Sequence, residues 1–317
     1  MDEFARKIRP AALASLHSMS GQPGTNWWKD LLGQWRPSGS TAGERGLRLA
    51  VRNNYLNLYR RGQSVARVQF SRAHEPYISI HVKYGFGEET TCQVYAQMRN
   101  GRDIRDPKTS QTLIYEGSPT LYKWIERADQ HKGPEKTCLD ELIASNSSII
   151  DVEMGLPASG DRKTAQRMDC VALEREGDGT RIVFWEAKMI DDARLRSESI
   201  PEVLRQLKTY REYLADNDHA TCVENAYRAL CQLLKEMHGM AAQFPDRPAL
   251  DPIVIAASQD GSNLKVDPTP RLVIFGGEQY KKKGKWEFHQ QRLQDAGIPC
   301  LVLANKPYLL RRPEMKS

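Results

Sequence analysis

Apolar and polar positions alternate with a period of two from Leu47 onward. Leu47 to Val51, Tyr55 to Tyr59, Val65 to Phe70, Ile78 to Val82 and Thr91 to Ala96 each read as a half-buried strand. Asn53-Asn54 and Arg61-Gly62-Gln63 supply turn chemistry between them. The stretch predicts an antiparallel meander, closed by a helix over Pro119 to Gln130. Beyond His131-Lys132-Gly133-Pro134 the pattern changes. A helix starts at Pro134, and Ile149 to Leu156, Arg167 to Leu173 and Ile182 to Lys188 are the near-continuous apolar runs of strands covered on both faces. Helical spacing follows over Val203 to Leu214 and Ala220 to Phe244. Pro252 to Ala257 and Arg271 to Gly276 read as buried strands, Trp286 to Ala296 as a helix and Cys300 to Leu303 as a last strand. Such alternation predicts an α/β sheet with helices on both faces. Three segments result: a helical and loop segment over 1–45, in which Trp27, Trp28, Leu31, Leu32 and Trp35 read as packing; a β-rich domain over 46–130; and an α/β domain over 133–317.

Two of the apolar runs carry charges that do not belong in a core. Arg167-Met168-Asp169-Cys170-Val171-Ala172-Leu173 contains Asp169, and Ile182-Val183-Phe184-Trp185-Glu186-Ala187-Lys188 ends with Glu186 and Lys188. Ionised groups are costly in such places unless paired or holding a metal. Residues i and i+2 of a strand share a face, so Glu186 and Lys188 project together. A turn at Glu176-Gly177-Asp178-Gly179 would bring Asp169 near them. Two carboxylates and an ammonium at a sheet edge suit a hard, oxygen-ligated cation beside a reacting phosphate. The spacing Asp/Glu-x-Lys is weak by itself and also occurs at Asp106/Lys108, Asp161/Lys163 and Glu314/Lys316. Those three lie in polar or proline-containing segments and read as solvated surface; only Glu186/Lys188 ends an apolar strand preceded by another that carries an isolated Asp.

Over roughly Gly133 to Tyr213 this order of elements resembles the PD-(D/E)XK nuclease superfamily, with its restriction-endonuclease-like fold. The corresponding stretches are the helix Glu135-Lys136-Thr137-Cys138-Leu139-Asp140-Glu141-Leu142-Ile143, the strand Ile149 to Leu156, the two charged strands, and the helix Val203 to Leu214 with Gln206 and Tyr210. Met168 stands where the family often has Pro. The resemblance implies a Mg²⁺-dependent endonuclease that hydrolyses DNA phosphodiester bonds, with Mn²⁺ able to substitute. It implies Asp169, Glu186 and the Ala187 carbonyl as metal ligands, Lys188 beside the attacking water, and Gln206 as a brace or DNA contact. Of the helix acids, Glu135 falls on the face of Leu139, Leu142 and Ile143 at ~100° per residue, whereas Glu141 points away; Glu135 is therefore the expected helix acid. Asp151 and Glu153 stay off the catalytic set. Alternatives remain open: a catalytically silent relative kept for nucleic-acid or protein recognition, or a nuclease acting on RNA or branched DNA. Restriction, phage defence and repair are all compatible settings, and so is a homodimer.

Composition adds a compartment and a charge asymmetry. Of 317 residues, 40% are hydrophobic and 27% charged, with no apolar run of membrane-spanning length and no signal-peptide core near Met1. Six cysteines without a C-x-x-C pair fit a reducing cytoplasm. The first 130 residues carry 19 Lys and Arg against 12 Asp and Glu, the remainder 27 against 28. Excess positive charge on the β-rich part suits a polyanionic partner. Its candidate contacts are Arg52, Arg60, Arg61 and Arg67, interleaved with tyrosines, together with the basic loop Lys281-Lys282-Lys283.

Overall fold

The computed structural model describes residues 4–88, 90, 93–98, 101–157, 167–196, 202–245, 247–277 and 286–313. Two helices open the chain, α1 (Pro10–Gly21) and α2 (Trp27–Gln34). Asn26 caps α2, its side chain accepting from the Lys29 amide at 3.0 Å. A seven-stranded antiparallel sheet follows, with strands in simple sequence order: β1 (Arg48–Arg52), β2 (Tyr55–Arg60), β3 (Gln63–Phe70), β4 (Pro76–His81), β5 (Tyr95–Met98), β6 (Asp103–Arg105) and β7 (Thr112–Ile114). The short helix α3 (Val82–Gly85) separates β4 from β5, and α4 (Ser118–Asp129) packs back onto β2 and β3.

The rest of the chain is α5 (Pro134–Ser145), β8 (Ile149–Gly155), β9 (Arg167–Glu176), β10 (Gly179–Met189), α6 (Ala193–Arg196), α7 (Glu202–Ala215), α8 (Asn217–Ala241), α9 (Pro252–Ala257), β11 (Leu264–Val266), β12 (Arg271–Phe275), α10 (Trp286–Asp295) and β13 (Cys300–Leu303). Its sheet runs β13-β12-β10-β9-β8, with β11 also pairing β10. Strands β8, β9 and β10 are antiparallel neighbours, whereas β11, β12 and β13 join in parallel. The molecule is thus mixed α/β, with an antiparallel sheet and a mixed sheet flanked by helices.

One apolar cluster joins the two sheets, from Trp28 through Val51 and Ile80 to Phe184, Ile274 and Leu230. A second, formed by Leu139, Leu142 and Ile143 of α5 with Cys170, Trp185 and Phe275, covers the other face of the mixed sheet. Burying each such side chain favours the fold by about 1.5–3 kcal/mol. The sheets are also pinned by charge: Asp151 of β8 accepts from Arg6 at 2.8 Å and from Arg52 at 2.7 Å.

Several elements depart from the sequence expectation. Pro252–Ala257 is a helix rather than a strand: Asp251 caps it, accepting from the Ile253 amide at 2.9 Å, and Pro252 occupies the first turn. Val82 opens α3 instead of ending β4, and β5 starts later than expected, at Tyr95. Strands β6, β7 and β11 have three residues each and left no legible period.

Candidate active site at the ends of β9 and β10

The β9–β10 ladder ends at the pair Cys170–Trp185. Just beyond it, the Asp169 carboxylate takes over the role of a ladder partner and accepts from the Ala187 amide at 2.8 Å. Glu186 and Lys188 lie on either side of that residue, and their side chains form an ion pair. The Lys188 ammonium also donates to the Ala187 carbonyl at 2.8 Å. Asp169, Glu186 and Lys188 are 7%, 3% and 1% exposed. The three charges expected from sequence therefore converge within the protein, and each acts electrostatically on the others.

A second lysine, which the sequence reading passed over, completes the cluster. Lys136, in the first turn of α5, donates to Asp169 Oδ1 at 2.5 Å and lies 2.8 Å from Glu153 of β8. Glu153 itself has a left-handed backbone, φ 51°, a conformation that non-glycine residues keep only where surroundings enforce it. Lys136 offers no pattern of its own in the sequence, because a lysine in a first helical turn reads as surface. Glu153 was visible as an acid on the intervening strand, and the left-handed kink that aims it was not.

Other expected residues fall around this centre. Glu135 is partly buried, feels Lys188 and Asp169, and lies 3.6 Å from Arg194. Glu141 points elsewhere and pairs with Lys306 at 2.5 Å. Gln206 of α7 donates to the Arg167 carbonyl at 2.7 Å, bracing the start of β9. Tyr210 is fully buried, and its hydroxyl donates to the Met154 carbonyl at 3.2 Å.

The arginines expected at a polyanion surface divide sharply. Arg52 is buried, donating to Asp151 and to the carbonyls of Val152 and Glu153. Arg60 is also buried, against Asp129 at 2.7 Å, and Arg61 shares that carboxylate at 3.1 Å. Arg52 and Arg60 hold the interior together, which corrects their expected placement as exposed contacts, while Arg61 is partly exposed and already paired. Arg67 stays partly exposed and has no acidic partner among the described residues. Lys281, Lys282 and Lys283 lie outside the described residues.

No family model, curated protein or solved structure matches this chain. The site must be judged on its own chemistry.

Burial opposes ionisation of Asp169, but Lys136, Lys188 and the Ala187 amide outweigh it and hold the carboxyl below its ordinary range. Glu186 goes the other way: burial and the neighbouring Asp169 charge push it up to about 8, against the pull of Lys188. One oxygen of Glu186, Oε2, is buried without a hydrogen-bond partner. Leaving such an atom unsatisfied costs about 1–3 kcal/mol. Among the described residues no group of three or more His, Cys, Asp and Glu side chains is arranged to hold a metal. The donor set here is smaller: two carboxylates, one of them with an orphaned oxygen, and the Ala187 carbonyl. That set fits Mg²⁺, which takes few protein oxygens and keeps waters in its shell. It does not suit zinc, which prefers nitrogen and sulfur.

Proposed function

We propose that this chain is a metal-dependent endonuclease hydrolysing phosphodiester bonds in DNA, built on a restriction-endonuclease-like core of the PD-(D/E)XK type. The observation that carries the reading is the convergence of buried Asp169, Glu186 and Lys188, with the Glu186 Oε2 atom unpartnered. The order of elements supports it, since α5, β8, β9, β10 and α7 follow one another as the resemblance implies, with β8, β9 and β10 adjacent in one mixed sheet.

Asp169, Glu186 and the Ala187 carbonyl would hold Mg²⁺, or Mn²⁺ in its place. A bound cation of this kind supplies a water of lowered pKa and positive charge beside the phosphate. Lys188, which donates to Glu186 and the Ala187 carbonyl, would direct its third N–H toward that water and offset negative charge developing on the phosphate. Asp169 stays ionised because Lys136 and Lys188 flank it. Burial and the Asp169 charge raise Glu186 against the pull of Lys188, and a divalent cation held there would favour its ionised, ligating form. Gln206 keeps the start of β9, and hence Asp169, in position.

Asp169→Ala, Glu186→Ala and Lys188→Ala are each expected to reduce Mg²⁺-dependent DNA cleavage by about 10²–10⁴-fold, measured below the melting transition of each variant. Cleavage retained in all three variants would reject the site.

One observation favours a second reading. The Lys136 ammonium already neutralises Asp169 Oδ1, as a built-in cation would in a nuclease-like protein kept only for recognition. A Mg²⁺ titration of cleavage separates the two readings, since the silent form cuts nothing at any concentration.

A further inference from the structure

The polar face of the seven-stranded sheet plays no part in the site described above. Along β2 to β5, Leu56, Leu58, Val68, Ile78, Ile80 and Ala96 are buried in the core. The alternate positions point the opposite way. They form cross-strand rows such as Asn57–Arg67–Ser79 and His81–Tyr95. This face lines a cleft of about 750 Å³, whose walls include Tyr55, Tyr59, Arg67, Lys83, Tyr95 and Arg167.

Charge in the cleft is unbalanced. The Arg67 guanidinium lies over the Tyr95 ring, 4.0 Å from its centroid, and its Nε is buried without a hydrogen-bond partner. Neither Lys83 nor Arg167 has an acidic partner among the described residues. The wall's carboxylate is Glu153, which sits 2.8 Å from the Lys136 ammonium. Cations without counter-ions, interleaved with tyrosine rings, match a phosphodiester strand carrying exposed bases.

The cleft also reaches the candidate active site. Glu153 and Gly155 form part of its wall, and Arg167 lies two residues before Asp169 on β9. Gly62, at the β2–β3 turn with φ +77°, packs directly on Lys136: a Cβ there would lie 2.8 Å from the lysine Cδ. The hairpin tip and the catalytic cluster are thus in contact. A volume of about 750 Å³ falls in the range of pockets that enclose one small ligand. A duplex, whose major groove alone is ~12 Å wide, does not enter such a space.

We infer that this cleft receives an unpaired nucleotide of the DNA strand to be cut. Its phosphate meets Arg67, Lys83 and Arg167, and its base lies against Tyr55 and Tyr95. The substrate class that follows is DNA with unpaired nucleotides, either single-stranded or extruded from a duplex. That the bound strand is also the cut strand rests on the proposed nuclease function; the binding itself does not.

The test is fluorescence anisotropy of the full wild-type chain in chelator, so that cleavage plays no part in the outcome. The probes are a short labelled single strand, the matched duplex of the same sequence, and that duplex with an internal mismatch. Single-stranded and mismatched DNA should each bind about tenfold or more tightly than matched duplex. Arg67→Glu and Arg167→Glu should each weaken that binding about tenfold with unchanged melting. As a second readout, 2-aminopurine in the single strand should be quenched by wild type and by Tyr55→Phe, but less by Tyr55→Ala. Equal binding of matched duplex and single strand, or affinity and quenching untouched by these substitutions, would overturn the inference. Preferential binding in chelator, with the same DNA left intact once Mg²⁺ is supplied, would uphold it and count against the nuclease reading alone.

Discussion

Asp169, Glu186 and Lys188 could be read from sequence because each breaks an otherwise apolar strand. A charge whose burial must be compensated is conspicuous at the level of single residues. Lys136 could not be read that way, since only the packing of α5 against the strand ends brings it to Asp169. Its position makes a prediction. If Lys136 stands in for a cation in the metal-free protein, Lys136→Met should lower the melting temperature without metal and enlarge the rise caused by Mg²⁺, because one competitor for Asp169 Oδ1 has gone. Thermal melting across a Mg²⁺ series checks this, and a variant with an unchanged Mg²⁺ increment would remove Lys136 from the account. The arginines show the opposite failure of sequence reading. Arg52, Arg60 and Arg67 look alike in a strand pattern, yet two are buried in ion pairs and one lies over the Tyr95 ring without an acidic partner among the described residues. Which of them is free depends on where Asp151 and Asp129 fold, more than 60 residues away in each case.

At the level of elements, long runs with a clear period were legible: β1 to β4, β8 to β10, α4, α5, α7 and α8 all lie close to where the pattern puts them. The misses have local causes. Pro252–Ala257 has the β-branched composition of a strand, but its Asp251 cap and Pro252 at the first turn decide for a helix. Strands of three residues are too short to show alternation and form only because a neighbouring edge is there to pair with. The most consequential contact between elements is Asp151, which holds β8 to β1 and to the N-terminal segment through Arg52 and Arg6. Burial would raise its pKa, yet the two guanidinium groups outweigh burial and hold it below the ordinary aspartate range. Its stabilising contribution is therefore present at neutral pH and is lost as pH falls through that lowered value. Asp151→Asn should cost about 3–5 kcal/mol at pH 7, since it leaves two buried cations without a counter-ion. The same variant should show a flatter loss of stability on the acid side. Denaturant titrations over a pH series measure both effects; a small loss at pH 7 would mean that the pair does not pin the sheets.

At the scale of the whole molecule, the charge asymmetry seen in sequence is real, but much of it is spent inside. Arg48, Arg52 and Arg60 neutralise Asp140, Asp151 and Asp129. Arg67, Lys83 and Arg167 are not paired in this way and line the cleft beside the β9–β10 ends. Among the described residues no helix is long and apolar enough to cross a membrane. The sequence showed that two kinds of sheet were present. It could not show that they share one apolar cluster, because that follows from side chains distant in the chain, such as Trp28, Val51 and Phe184. The central claim is that the joined structure uses Mg²⁺ at Asp169 and Glu186 to cut DNA. A time course of wild-type protein with labelled DNA bearing an unpaired segment, in Mg²⁺ and in chelator, tests it most directly. Shortened products in Mg²⁺ and none in chelator are predicted. Intact DNA under both conditions, at protein concentrations that bind it fully, would contradict the account.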